Sequence, residues 1–234
     1  DLMSKSFADR QRFIRECSRV GEVELQVVGA VAGPQRDARH GGAAMPGGVE
    51  DGIRRGIYRL QSAEDAGAKK ASPRVQLLGS GTILREVIAA ADLLEEDWGV
   101  DADIWSATSF NELRRDALEV ERWNLLHPGQ PRRKSWIEHC FGDRPGPYVA
   151  ATDYMKIVPD QINSWVPGTF YSLGTDGYGR SDARKPLREH FEVDRRFIAV
   201  TALNALAFDG ALDQKTVAAA IEKFVMDPVR SEPF

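Results

Sequence analysis

Short apolar runs alternate with amphipathic stretches through most of this chain. The run RVQLLG at 74–79 leads through a glycine turn into TILREVIAAADLLEED at 82–97. In the second stretch Ile83, Val87 and Leu94 recur at helical spacing, while charged residues occupy the opposite face. This pattern predicts a buried strand, a tight turn and a surface helix.

The same alternation continues downstream. DADIWSATS at 101–109 predicts a second such strand, and Ser109 with Glu112 predicts a capping box that begins the next helix. YVAAT at 148–152 predicts another strand, and it is followed by a helical stretch in which Pro159 either kinks the helix or opens a second one. Repeated strand–helix units are typical of a parallel α/β sheet.

Further elements lie at both ends of this region. TFYSLG at 169–174 predicts a short strand, and two helices are predicted over about 194–208 and 213–226. GIYRLQ at 56–61 is a strand candidate that a long polar loop separates from the strand at 74–79. That spacing predicts an antiparallel hairpin whose partner strand lies at an edge of the sheet.

The first 44 residues differ in character from the rest. They contain six arginines, a short helix candidate at 6–19 and an apolar run at 23–31, and they end in a linker rich in glycine and alanine. The sequence therefore predicts an atypical extension and linker over 1–44 and one domain over 45–234.

The charge balance argues against several classes of partner. Thirty-one basic and 35 acidic residues give a net charge of −4, so no bulk attraction to nucleic acid or anionic membranes exists. The longest mostly apolar runs, at 27–33 and 198–208, fall short of the ~20 residues that cross a bilayer. The two cysteines lie far apart in the sequence, and they do not indicate a disulfide framework. We expect a cytoplasmic protein without a nucleic-acid or membrane partner.

A first glycine-rich turn, GSGT at 79–82, lies between the predicted strand and helix. Backbone N–H groups at such a turn can hold an anion. However, a dinucleotide fingerprint needs a small residue where Leu84 stands. Gly79 and Gly81 are therefore expected to serve a tight turn and close packing.

A second glycine-rich segment, GTDGYGRS at 174–181, has the spacing of a nucleotide-binding P-loop, with Arg180 in place of the usual lysine. A P-loop opens a long helix, whereas the residues after Ser181 are polar and include Pro186. We predict a surface loop held by local or interdomain hydrogen bonds, in which the glycines supply backbone angles that other residues resist.

The remaining polar residues predict no catalytic, cofactor-binding or metal site. None of the four histidines has a second ligand at the spacing of a helical zinc site. His139 precedes Cys140, but adjacent residues of a helix point about 100° apart and cannot readily share a proton. The G-x-S-x-G motif of serine hydrolases is missing from the sequence.

Several long segments resemble one enzyme family. They are SFNELRRD, ERWNLLHP, ATDYMK and GTDGYGRSD, and the resemblance extends from about Ala44 to Phe234. The family is the homodimeric pyruvate dehydrogenase decarboxylating component, the first enzyme of the pyruvate dehydrogenase complex, and the resemblance is to its C-terminal domain. GSGT and YGRS resemble, more distantly, segments of transketolase C-terminal domains.

The resemblance implies an enzyme that uses thiamine diphosphate and magnesium to decarboxylate pyruvate, and that acetylates the lipoyl group of a partner acyltransferase. It implies three α/β domains per subunit and a homodimer with the active site between subunits. The family's cofactor ligands lie in the first two domains, and the matching segments here contain no GDG…N diphosphate motif. The third domain is a five-stranded mixed sheet, flanked by helices, that supports the dimer.

Together these observations predict a structural and dimer-assembly domain that is a fragment relative to the family and inactive alone. Residues 1–44 depart from the family pattern, as an unrelated extension or as the product of a shifted frame or truncated gene. The interface or structural-loop residues are predicted to be Gly79, Gly81, Gly174, Asp176, Gly177, Gly179, Arg180, Ser181 and Asp182. Two alternatives stay open: an autonomous phosphate- or nucleotide-binding module, and one piece of an enzyme whose other domains lie on another chain.

Overall fold

A computed structural model describes residues 46–64, 72–231 and 233. Within them one five-stranded sheet forms, from β1 (Ile57–Gln61), β2 (Arg74–Gly79), β3 (Asp101–Ala107), β4 (Tyr148–Ala151) and β5 (Phe170–Leu173). The strand order is β1-β3-β2-β4-β5; β1 pairs with β3 in antiparallel direction, and the other three pairs of neighbouring strands are parallel. The predicted mixed, mostly parallel α/β sheet is confirmed. The predicted extension over 1–44 lies outside the described residues.

Helices cover both faces of this sheet. They are α1 (Glu50–Arg55), α2 (Leu84–Trp98), α3 (Phe110–Leu126), α4 (Trp136–Phe141), α5 (Ile157–Asp160), α6 (Arg184–His190), α7 (Arg195–Phe208) and α8 (Gln214–Lys223). Single 3₁₀ turns lie at Gly81–Ile83 and Asn163–Trp165. The sequence did not predict α1, α4 or α6, which are all seven residues or shorter, because so few residues give little helical periodicity.

The alternation of side chains along the parallel strands divides the apolar core in two. On β2, Leu77 packs in one buried cluster with residues of α2, α7 and α8. Its neighbour Leu78 packs in the other cluster, with residues of α3 and α4. On β4 the adjacent pair Val149 and Ala150 divides in the same way. Successive residues of a strand point to opposite faces, so an unbroken apolar run belongs in the middle of a sheet covered on both sides.

The predicted hairpin between 56–61 and 74–79 is wrong. β1 pairs with β3 in antiparallel register, with Ile57 opposite Ala107. β2 cannot accept β1, because its two edges are already paired in parallel with β3 and β4. The edge position and antiparallel direction of β1 were nevertheless predicted correctly.

A buried polar network joins the two central parallel strands β2 and β3. The side-chain amide nitrogen of Gln76 donates a 2.9 Å hydrogen bond to Asp103 Oδ2, and Trp105 Nε1 donates a 2.8 Å bond to Gln76 Oε1. The other carboxylate oxygen of Asp103 accepts from the backbone N–H of Ala63 at 3.0 Å. Buried polar groups need such partners, and this network holds the segment after β1 against β3.

The predicted capping box at the start of α3 forms only in part. The Ser109 side chain accepts from the Glu112 backbone N–H and begins α3, but Glu112 pairs with Arg115 instead of completing the capping box. A complete capping box begins α4 at Ser135 and Glu138. The sequence did not single out this second box, because the helix that follows has only six residues.

Pro159 and Pro186 each lie within the first turn of a separate short helix. Pro159 is the third residue of α5 (Ile157–Asp160), so it lies in the opening turn of a short helix and does not kink a longer one, and residues 153–156 before it are not helical. Pro186 is the third residue of α6, in a segment for which the sequence predicted a loop. Proline is tolerated at such positions because the first N–H groups of a helix have no intrahelical partner.

Candidate functional site

The chain changes direction across the sheet between β2 and β4. After β2 it passes to β3 on one side, and it then returns to β4 on the other side. At the carboxyl ends of these adjacent strands the hydroxyl of Ser80 donates a 2.7 Å hydrogen bond to Thr152 Oγ1, and both residues are buried. Ligands of open α/β sheets bind at such a topological switch point.

The first glycine turn lies at this point and leaves no room for side chains. A Cβ at Gly79 would lie 2.8 Å from the Leu84 Cα and 3.0 Å from a Val87 methyl carbon. Gly81 has a φ of +53°, and a Cβ there would lie 3.1 Å from Asp153 Oδ1. Gly79 therefore permits close packing of the strand on α2, and Gly81 permits the turn itself.

The loops after β4 and β5 are hydrogen-bonded to each other. The backbone N–H of Thr175 donates to the Tyr154 carbonyl at 2.8 Å, and the Thr175 hydroxyl donates to the Asp153 carbonyl at 2.9 Å. Both carboxylate oxygens of Asp176 lie 3.3 Å from the backbone nitrogen of Lys156, which donates to them. These bonds hold the start of the second glycine-rich segment rigidly against the loop after β4.

The three glycines of that segment play different parts. A Cβ at Gly174 would lie 2.6 Å from the Tyr154 carbonyl oxygen, so this position requires close approach. Gly177 has a φ of +93°. Gly179 has neither a positive φ nor any atom within 4 Å of an added Cβ. The expectation of unusual backbone angles therefore holds for Gly177 alone.

The charged end of the segment makes local contacts. Arg180 Nη1 lies 3.2 Å from His190 Nδ1, at the end of α6, and Asp182 Oδ1 accepts from the backbone N–H of Ala183 at 2.7 Å. Ser181 is exposed, and no hydrogen bond joins its side chain to the described part of the chain. The next helix begins at Arg184 and has only seven residues, so the long helix that a P-loop requires does not follow.

Four large apolar side chains are exposed close to these loops. Tyr154, Met155 and Ile157 follow β4, Tyr178 lies in the second glycine-rich segment, and their exposed fractions range from 56% to 92%. We call these four residues the apolar edge. A contiguous exposed apolar patch is the kind of surface that another protein covers.

A buried glutamate lies behind the first glycine turn, and the sequence did not reveal its role. The Glu86 carboxylate accepts from Arg188 Nη1 at 2.7 Å and from Arg195 Nε at 3.0 Å. Burial opposes ionisation of Glu86, but the hydrogen bonds and charges of Arg195 and Arg188 outweigh burial and lower its pKa. The helical pattern placed Glu86 on the solvent face of α2, because two partners 102 and 109 residues away leave no local signal.

The adjacent pair His139 and Cys140 does not form a nucleophile. Burial raises the pKa of the Cys140 thiol to about 12, so the thiol stays protonated near neutral pH. The His139 ring lies against Trp136, with the ring centres 6.5 Å apart. Across residues 46–64 and 72–231, no three His, Cys, Asp or Glu side chains converge as metal ligands would. No described helix is long and apolar enough to cross a membrane.

Comparison with known proteins identifies the family to which this domain belongs. The model of the transketolase-like TK C-terminal domain family matches residues 56–194. The chain belongs to this family. The resemblance of this transketolase-like domain to the pyruvate dehydrogenase component is also confirmed, because a pyruvate dehydrogenase E1 component of Pseudomonas aeruginosa is 56% identical over 191 residues. That alignment covers 81% of this chain and 21% of the relative.

A second curated relative of the transketolase-like domain shows the same coverage. The pyruvate dehydrogenase E1 component of Escherichia coli K12 is 50% identical over 191 residues, again 81% of this chain and 21% of the relative. A transketolase structure from Leishmania mexicana superimposes with a TM-score of 0.45 at 16% identity, over 69% of this chain and 19% of that chain. The chain thus spans about a fifth of the length of the curated relatives that it matches.

Proposed function

We propose that this chain serves as the C-terminal structural and dimer-assembly domain of a pyruvate dehydrogenase E1-type enzyme. Such an enzyme decarboxylates pyruvate with thiamine diphosphate and magnesium and acetylates the lipoyl group of an acyltransferase component. The partners proposed for this chain are the other domains, a second subunit and that acyltransferase, in the cytoplasm. The 56% identity to the Pseudomonas aeruginosa component supports the assignment.

The observation that carries the assembly role is the apolar edge. Its four side chains follow two parallel strands whose loops are tied together by Thr175 and Asp176. A rigid, apolar surface loses little conformational freedom on association, and covering it removes apolar area from water. The predicted interface residues from Gly174 to Asp182 adjoin this surface, and we propose that they support it or contact the partner.

The described residues do not fit the cofactor. Magnesium that holds a diphosphate requires carboxylate or other oxygen ligands in one place, and three such acidic or histidine side chains do not converge in the described ranges 46–64 and 72–231. Asp153 and Asp176 follow adjacent strands, but Asp176 is bonded to the backbone of Lys156. We therefore assign no step of pyruvate decarboxylation to these residues.

A domain exchange tests this proposal. In the full-length Pseudomonas aeruginosa component, the 191 matched residues are replaced by their counterparts from this chain. We expect the hybrid to form a dimer and to decarboxylate pyruvate, because the exchanged domain would provide an equivalent surface. This chain by itself should show no decarboxylation.

Two variants of the hybrid test whether the apolar edge forms the dimer interface. Ile157→Asp, in the apolar edge, should weaken the dimer and lower activity in parallel, because a charge would enter an apolar contact. Leu125→Asp is the matched control, since Leu125 is 78% exposed and lies at the end of α3. A hybrid that is folded but monomeric and inactive would contradict the proposal, as would equal effects of the two variants.

A further inference from the structure

A cleft of about 360 Å³ opens beside the switch point of the sheet. Its wall combines the first glycine turn at Thr82, the loop after β4 at Asp153, the second glycine-rich segment and helix α6. A volume of about 300–1,000 Å³ is typical of small-molecule sites. The position, at the carboxyl ends of β2, β4 and β5, is the one where α/β sheets bind ligands.

The charged lining of this cleft is predominantly positive. Arg180, Arg184 and Arg188 all line it, against the single acidic residue Asp153. Arg188 is neutralised by the buried carboxylate of Glu86, at 2.7 Å. Arg180 Nη1 lies 3.2 Å from His190 Nδ1 and forms no ion pair with a carboxylate of the described residues, and within the described chain Arg184 has no partner at all. Two guanidinium groups therefore lack a counter-charge beside the same cleft.

The rest of the wall offers hydroxyl and apolar groups. Thr82 and Thr175 place hydroxyls on the wall; the Thr82 hydroxyl lies 3.4 Å from Asp153 Oδ2, and the Thr175 hydroxyl donates to the Asp153 carbonyl at 2.9 Å. Leu187, Phe191 and Val193 provide apolar surface. A ligand that matches this wall has an anionic group for the arginines and a small carbon skeleton for the apolar side chains.

We propose that this cleft binds a small organic anion, a carboxylate or a phosphate ester, through Arg180 and Arg184. The guanidinium group presents paired N–H donors that match the two oxygens of either group. The site needs neither magnesium nor the P-loop geometry that the second glycine-rich segment lacks. The cleft shares Tyr178 and Arg180 with the proposed assembly surface. Its test uses only the isolated chain, so the failure of this proposal and the failure of the assembly proposal are distinguishable.

An NMR titration of the full 234-residue chain at low ionic strength tests the site. Inorganic phosphate and acetate are titrated separately, and phenyl phosphate is added as a third probe. We expect saturable shifts of the Arg180 and Arg184 side-chain signals. Phenyl phosphate should bind more tightly than inorganic phosphate because of the apolar wall. The ratio of the phosphate and acetate affinities identifies the preferred anionic group.

Three variants make the test specific. Arg184→Ala should weaken binding about tenfold, since a hydrogen bond to a charged group is lost. Asp153→Asn should tighten binding, because it removes the acidic charge from the cleft. Arg114→Ala, on the exposed face of α3, should change nothing. The proposal is overturned if no probe saturates, if Arg114→Ala weakens binding as much as Arg184→Ala, or if Asp153→Asn does not tighten it.

Discussion

The carboxylate of Glu86 and the guanidinium of Arg195 form a two-bond ion pair that joins α2 to α7, although 109 positions separate them in the sequence. The bonds from Arg195 Nε and Nη2 measure 3.0 and 3.3 Å, and the Arg195 backbone N–H adds a third at 3.2 Å. This pair lies directly behind the first glycine turn, and it fixes the position of the helix that follows the turn.

Glu86→Gln should lower the free energy of unfolding by about 2 kcal/mol, because two arginines lose their common buried counter-charge. Chemical denaturation at pH 7 measures this change. Glu95→Gln, an exposed position on the same helix, is the control and should change stability little.

The pH dependence of that difference follows from the lowered pKa of Glu86. The folded-state pKa lies below the ordinary value of 4.5, so the stabilisation is present above that pH and is lost as the pH falls through the folded-state pKa. The stability difference between the native chain and Glu86→Gln should therefore shrink on acidification from pH 7 to below pH 4. A difference that stays constant would show that ionisation of Glu86 does not stabilise the fold.

Gly174→Ala should destabilise the chain by about 1–3 kcal/mol, because the added methyl group meets backbone atoms of the loop after β4. Thermal or urea unfolding measures the loss. Gly179→Ala is the matched control in the same segment, where the added methyl group meets open space. Equal effects at the two positions would contradict the close approach at Gly174.

Cys140 should react slowly with thiol reagents in the folded chain. Its pKa of about 12 leaves almost no thiolate at pH 8, and unfolding restores an ordinary thiol. In a Cys17→Ser background, labelling should be at least about tenfold faster in urea than in buffer. Equal rates in the two conditions would show that burial does not protect this thiol.

The isolated chain should show no magnesium-dependent binding of thiamine diphosphate. The sequence contains no GDG…N diphosphate motif, and the Asp176 carboxylate, which follows a strand beside the switch point, is already bonded to the backbone N–H of Lys156. Calorimetry with thiamine diphosphate at millimolar concentration should give the same heat with and without magnesium, and Arg184→Ala should remove any heat that comes from the anion cleft. Saturable, magnesium-dependent binding would place a cofactor site in this chain and contradict the assignment of the cofactor to other domains.

The domain boundary is tested by removing residues 1–44. The described strands and helices all lie after Met45, so residues 45–234 should unfold cooperatively by themselves. Circular dichroism during heating compares the shortened and complete chains. Loss of the cooperative transition in the shortened chain would move the boundary toward the N-terminus.

The sequence by itself determined the class of fold and the family. The apolar run at 74–79 and the amphipathic stretch after it indicate a central strand and its covering helix, because hydrophobic periodicity is a local property that each segment shows alone. The long motifs from SFNELRRD to GTDGYGRSD identified the relatives in the same way. The turn glycines Gly79 and Gly81 and the capping residue Ser109 were also predicted from the sequence, because each acts within a few positions of itself.

Only the tertiary structure decided which strands pair and which charges meet. The loop between 61 and 74 suggested a hairpin, but the pairing of β1 with β3 depends on both edges of β2 being occupied by other strands. The ion pair of Glu86 with Arg195, and the cleft lined by Arg180 and Arg184, depend on residues far apart in the chain. Such contacts follow from the packing of whole elements, and no short stretch of sequence encodes them.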